Sequence, residues 1–158
     1  MIQYRKATLE DVALLVSMRM KMLRSVVPAN DSEQWALSEA STEKYYSETL
    51  ESGEHVCILA FDGNTCIGTG GICFYRVLPT YYKPTGEKAY IINMFTDPQY
   101  RGRGIGREIL RLLVEEALER GVRYITLEAT EQGRKLYEKN GFGSVSSEMQ
   151  FINETYEG

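Results

Sequence analysis

Between Asp97 and Leu110 the chain reads DPQYRGRGIGREIL, and the seven positions from Arg101 to Arg107 hold three arginines and three glycines. Directly behind them Ile105, Ile109, Leu112, Leu113 and Ala117 fall on one stripe at helical spacing, so the segment opens a helix. No Ser, Thr, Asp or Asn stands at its entrance, which leaves the first backbone amides without a side-chain cap. The glycines let an external acceptor approach the backbone, and the helix dipole with Arg101, Arg103 and Arg107 favours an anion there. A diphosphate suits several converging N–H donors. The bland alternative is a glycine-rich connection carrying solvated arginines.

Two other phosphate cradles can be compared with this one. A P-loop ends in Gly-Lys-Ser/Thr, and that ending is missing. A dinucleotide fingerprint G-x-G-x-x-G starting at Gly102 puts Arg107 where its third glycine belongs, although Glu128 stands where a ribose-binding acid would. That rival stays open on the loop alone.

The elements that must position this loop follow from periodicity and turn residues. Ile2 to Lys6 is a short strand, and Thr8 with an acidic first turn opens a helix to about Arg24. Along that helix Val12, Leu15, Val16 and Leu23 share a stripe in which Arg19 is the polar exception. A second helix covers Glu33 to Glu51 and ends at Gly53. His55 to Phe61 and Thr65 to Leu78 flank the Asp62-Gly63-Asn64 turn as a hairpin. Ala89 to Thr96 is a central strand stopped at Asp97-Pro98; the loop's helix then runs from Gly104 to Arg120, and Val122 to Glu128 alternates like a strand. Thr130 to Asn140 is a short helix, and one or two strands are expected from Phe142 to about Tyr156. The order β-α-α-β-β-β-α-β-α-β, without repeat or linker, describes a single α/β domain over 1–158 with a mixed sheet, antiparallel early and with a βαβ crossover at 89–128.

Composition narrows the partners. With 43% hydrophobic and 25% charged residues, the chain is expected to fold around its own core. A net charge of −4 disfavours a broad nucleic-acid face, so the basic charge is local. No signal-like stretch and no membrane-length apolar run is present, which predicts a cytoplasmic protein with no membrane partner. Cys57, Cys66 and Cys73 lack Cys-x-x-Cys spacing and read as free thiols, and with His55 as the one histidine no metal site is expected.

The stretch Gln99 to Gly106 resembles the acetyl-CoA diphosphate loop of the GNAT N-acetyltransferases, R/Q-x-x-G-x-G/A, here Arg101-x-x-Gly104-x-Gly106. Leu136-Tyr137-Glu138-Lys139-Asn140-Gly141-Phe142 is similar to the family's late helix and its tyrosine, with Gly-Phe leaving it. The two matches stand in the family's order, and the resemblance extends from Ile2 to about Phe151. One departure precedes the tyrosine: Thr130 and Gly133 stand where the family often has asparagine and alanine.

What the resemblance implies is acetyl transfer from acetyl-CoA to a primary amine, by direct attack in a ternary complex and without a metal. A backbone N–H around Met94 and Phe95 would hold the oxyanion of the tetrahedral intermediate, and Thr96 would pair with the pantetheine like an added strand. Arg101, Gly102, Arg103, Gly104, Ile105, Gly106 and Arg107 would cradle the diphosphate. Tyr137 would protonate the departing thiolate, and Thr130 would cap its helix or replace the missing asparagine near the pantetheine. An alkyl amine must also lose a proton, for which Glu87 through a water chain, Glu128, Tyr90 or a water relay are candidates. Tyr75, Tyr81, Tyr82 and Trp35 could line the acceptor cleft. The acceptor is expected to be a small molecule; a protein or peptide amine, and a sensor that binds acyl-CoA without turnover, are the alternatives. The resemblance also allows a homodimer.

Overall fold

In the computed structural model, which describes residues 1–145 and 147–151, the element order is β1 (Ile2–Lys6), α1 (Val12–Val26), α2 (Ser32–Ser52), β2 (His55–Asp62), β3 (Thr65–Arg76), β4 (Glu87–Thr96), α3 (Ile105–Glu119), β5 (Ile125–Leu127) and α4 (Arg134–Glu138). The chain up to Glu128 forms one compact unit, and from Ala129 onward a second. In the first unit the five strands make one sheet in the order β1-β2-β3-β4-β5; the first three pairings are antiparallel and β4–β5 is parallel.

Local chemistry sets the boundaries. Asp11 closes the turn before α1 by accepting from the Thr8 amide at 2.8 Å, and the bidentate Arg5 guanidinium, at 2.7 Å to each oxygen, holds its carboxyl down at about 2. Asp31 caps α2 through the amides of Glu33 and Gln34, and Gly53 ends it at φ 77°.

Successive strand residues point to opposite faces, and each face has its own layer. Cys57 and Leu59 of β2 join Leu15, Val16, Met20 and Tyr46 of α1 and α2 in one core. On the other face Ile105, Ile109 and Leu113 of α3 lie over Gly68 and Gly70 of β3. A Cβ on Gly70 would come 2.5 Å from Ile109 Cγ2 and 2.5 Å from Met94 Sδ, so glycine sets how closely the helix seats.

His55, at the start of β2, is buried between Tyr45 and Tyr46, and its Nδ1 pairs with the Tyr45 hydroxyl at 2.9 Å. Burial lowers its pKa to about 4. Because the unfolded histidine protonates near its ordinary value of about 6.5, stability is full above that pH and falls between about 6.5 and 4, by roughly 3 kcal/mol for this group. Denaturant titrations at pH 7 and 4.5 should show that His55→Phe removes this part of the acid loss; parallel losses in both proteins would contradict it. Burial likewise raises the Cys57 thiol to about 12, and all three cysteines are free.

Three expectations need correction. Of the strand or strands expected from Phe142 to about Tyr156, none forms in the described residues 142–145 and 147–151, where Gly143, Ser144 and Ser147 break any alternating apolar face; position 146 and those from 152 on lie outside the described residues. The fifth strand is three residues long instead of seven, its pairing limited to Ala89–Ile91 of β4. The last helix spans only Arg134–Glu138, because the hydroxyl and carbonyl of Thr130 hold the Gly133 amide, at 3.1 and 3.0 Å, in a preceding turn.

Candidate active site

The apolar run of β4 contains one polar residue in its middle, Asn93, and there the strand breaks step. Thr69 pairs with Phe95 and Gly71 with Ile92, so Gly70 alone faces Asn93 and Met94: a β-bulge. Asn93 is the one non-glycine residue with positive φ among the described residues, at 59°, a conformation that asparagine tolerates better than most. Its side chain is held from both helices of that face. Arg19 of α1 donates to Asn93 Oδ1 at 3.3 Å, and Asn93 Nδ2 donates to the Tyr46 hydroxyl of α2 at 3.3 Å.

The bulge matters because pairing with β5 ends at Ile91–Leu127. Residues 92–96 therefore run on beyond β5, and among the described residues no strand pairs with their outer backbone edge, which suits an extended ligand. Met94, Phe95 and Thr96 lie on that edge, all half-buried.

The chain then turns. Asp97 caps a short 3-10 turn over Pro98–Tyr100 by accepting from the Gln99 amide at 3.0 Å, and the Tyr100 hydroxyl donates to Asp62 at 3.1 Å. Gly102 and Gly104 take φ 78° and 79°, the left-handed region the reversal requires. The start of α3 has no side-chain cap, so the amides of Ile105, Gly106 and Arg107 lack both an intrahelical acceptor and a capping oxygen. Arg101, Gly102, Arg103 and Gly104 are exposed around it.

Two of the three arginines are already oriented. Arg101 Nε donates to the Thr96 carbonyl at 3.2 Å, and the Arg103 guanidinium lies 5.0 Å from the centre of the Tyr100 ring. Arg101 thus ties the strand edge to the loop. Replacing Arg101 and Arg103 together by Ala is expected to weaken acetyl-CoA binding roughly 10-fold at low ionic strength and less at high salt. Calorimetry at two salt concentrations measures this; unchanged affinity at both would remove these guanidinium groups from ligand binding.

In the second unit Tyr137 sits on α4, buried, with its ring edge-on to Phe142 at 6.1 Å, and burial raises its pKa. The departure noted in the sequence has a local reason. A Cβ at Gly133 would stand 3.2 Å from Thr130 Oγ1 and 3.3 Å from Tyr137 Cε2, so Thr130 and Gly133 fit together. Thr130 acts as the cap of this turn.

Not every candidate falls near the bulge. Glu87 is exposed at the opposite end of β4, beside a cleft lined by Tyr45, Tyr75, Arg76 and Arg120. Met94 lies seven positions further along the strand, roughly 20 Å away, which excludes direct contact of both with one substrate atom. Glu128 is exposed just past β5, and Tyr90 lies on the β5-paired half of β4. Trp35 borders a cleft at the α1–α2 turn, its Nε1 donating to the Ala29 carbonyl at 2.9 Å, whereas Tyr81 and Tyr82 pack only edge-on to each other and are exposed. Sequence reading missed the bulge and the roles of Gly68 and Gly70. The signals were a lone Asn within an apolar strand and glycines at alternate strand positions.

The mixed sheet, its bulged fourth strand and the junction into α3 define the class: an α/β fold of the acetyltransferase type. The acetyltransferase (GNAT) family model matches residues 22–142, and the chain belongs to that family. It is similar to a predicted acetyltransferase of Clostridium acetobutylicum crystallised with acetyl-CoA, at 36% identity, TM-score 0.87 and 96% coverage of both chains. An uncharacterised N-acetyltransferase of Bacillus subtilis, YhfO, is 30% identical over 63% of this chain and 66% of its own length. The mouse thialysine N-epsilon-acetyltransferase is 28% identical over 61% of this chain and 55% of its own. This chain therefore spans less than two thirds of either relative's length.

Proposed function

We propose that this protein moves the acetyl group of acetyl-CoA to a primary amine of a small molecule by direct attack in a ternary complex. The observation that carries the reading is the continuity of one surface: a strand edge freed at Asn93, running through Thr96 into an uncapped helix start ringed by arginines. An extended pantetheine suits the edge and a diphosphate suits the helix start. That a structural relative with 36% identity holds acetyl-CoA, and that another relative is named for a small amine, supports the same choice.

Within this reading the amide of Met94 or Phe95 donates to the carbonyl oxygen as it gains negative charge, and backbone donors need no reorganisation to do so. Tyr137 supplies the proton for the thiolate. Because Glu87 stands so far along the strand, the proton of the attacking amine leaves through water. The test is an assay of released CoA thiol over a broad panel of primary amines, peptides included. Thiol release with small amines supports the proposal, release with peptides alone moves it to a protein acetyltransferase, and acetyl-CoA binding with no release from any amine replaces it with a sensor.

A further inference from the structure

Arg19 interrupts the apolar stripe of α1 and points a half-buried guanidinium at the bulge. Its partner there is the neutral amide oxygen of Asn93, at 3.3 Å. Among the described residues Arg19 is the one arginine that is not exposed, and it is in no ion pair. Tyr46, which shares Asn93 with it, does not supply the missing charge: it is buried and its pKa is raised, chiefly by that burial, so its hydroxyl stays protonated.

A guanidinium carries five donors in a planar fork suited to a carboxylate or phosphate, and a partly buried one facing only neutral groups is incompletely satisfied. This one is anchored to the residue directly before Met94, whose amide is the donor proposed above for the reacting carbonyl. The anchoring is also built to last: Asn93 keeps its left-handed backbone because Arg19 and Tyr46 hold its side chain from two helices.

We infer that Arg19 selects the acceptor: the amine substrate carries an anionic group, a carboxylate or a phosphate, that binds the Arg19 guanidinium while its amine faces the acetyl carbonyl. This rests on the N-acetyltransferase reading and adds the substrate's charge to it. Arg19 is a specificity residue that leaves the bond-making atoms to others.

The test uses the full chain and matched pairs of amines that differ in the anion alone: β-alanine against β-alaninamide, and phosphoethanolamine against ethanolamine. Each is measured by thiol release with acetyl-CoA and by calorimetry on the CoA-loaded protein. The expected result is that the anionic member of at least one pair is favoured by roughly 10- to 100-fold, the pair identifying carboxylate or phosphate. Arg19→Gln should erase that preference mainly through KM, and Arg19→Lys should keep part of it. A parent protein without preference, or an Arg19→Gln variant that loses both members of a pair equally, overturns the inference. If Arg19→Gln does not fold, full preference retained in Arg19→Lys, which lacks the planar fork, with none lost at high salt, also counts against it. Should no amine release thiol while calorimetry still shows an Arg19-dependent preference, the transferase reading fails and the anion site stands.

Discussion

Tyr137→Phe is expected to lower turnover roughly 100-fold or more and to leave acetyl-CoA affinity unchanged, because the change removes the proton-donating hydroxyl and keeps the packed ring. The ring keeps its edge-on contact with Phe142 and its place beside Gly133. A phenol near 10 gives its proton to a free thiolate near 8.5 uphill, by about 2 kcal/mol. Burial raises the tyrosine further, but a buried leaving thiolate is raised by the same desolvation, as Cys57 shows at about 12. The hydroxyl also stays protonated through pH 9, so the parent should lose no activity there from this group. Single-turnover kinetics measures the step directly; a variant as fast as the parent would remove Tyr137 from the acid role.

Gly70→Val is expected to destabilise the fold by about 3 kcal/mol and to weaken acetyl-CoA binding as well. The new branched side chain would meet Ile109, Leu113 and Met94 together, with a Cβ at 2.5 Å from the first and last. Ile109 and Leu113 are fully buried and cannot swing aside, so α3 must lift, and its N-terminus is the proposed diphosphate cradle. The displaced Met94 belongs to the strand edge, so both halves of the site move. Gly143→Ala is the control, since no atom lies within 4 Å of its added carbon. Urea denaturation of the two variants should differ clearly; equal midpoints would mean that Gly70 is not what seats the helix.

Much of this was legible in the chain, for identifiable reasons. The α3 stripe is sharply amphipathic, and Gly53 and the Asp62-Gly63-Asn64 turn mark boundaries by their own chemistry. The loop at 101–107 announced an uncapped helix start, and the structure has one. What escaped reading depends on partners distant in sequence. A bulge is a mismatch between two strands, so Ala89 to Thr96 reads as continuous until Gly70 is seen opposite both Asn93 and Met94. The end of β5 is set by where β4 stops accepting a neighbour, which alternation in Val122 to Glu128 cannot show. Arg19 stood out as a polar residue in an apolar stripe, yet its meaning required Asn93, 74 residues away. Glu87 was named as a base acting through a water chain, and the length of the strand places it at the end of β4 away from Met94.

The central claim is that the uncapped start of α3 holds the diphosphate of coenzyme A. Its most direct test is calorimetry of the parent protein with acetyl-CoA and with S-acetylpantetheine, which keeps the thioester and the extended arm but has no phosphate. Acetyl-CoA should bind at least ~100-fold more tightly, and the gap should narrow as salt is raised. Equal affinities for the two, insensitive to salt, would contradict it.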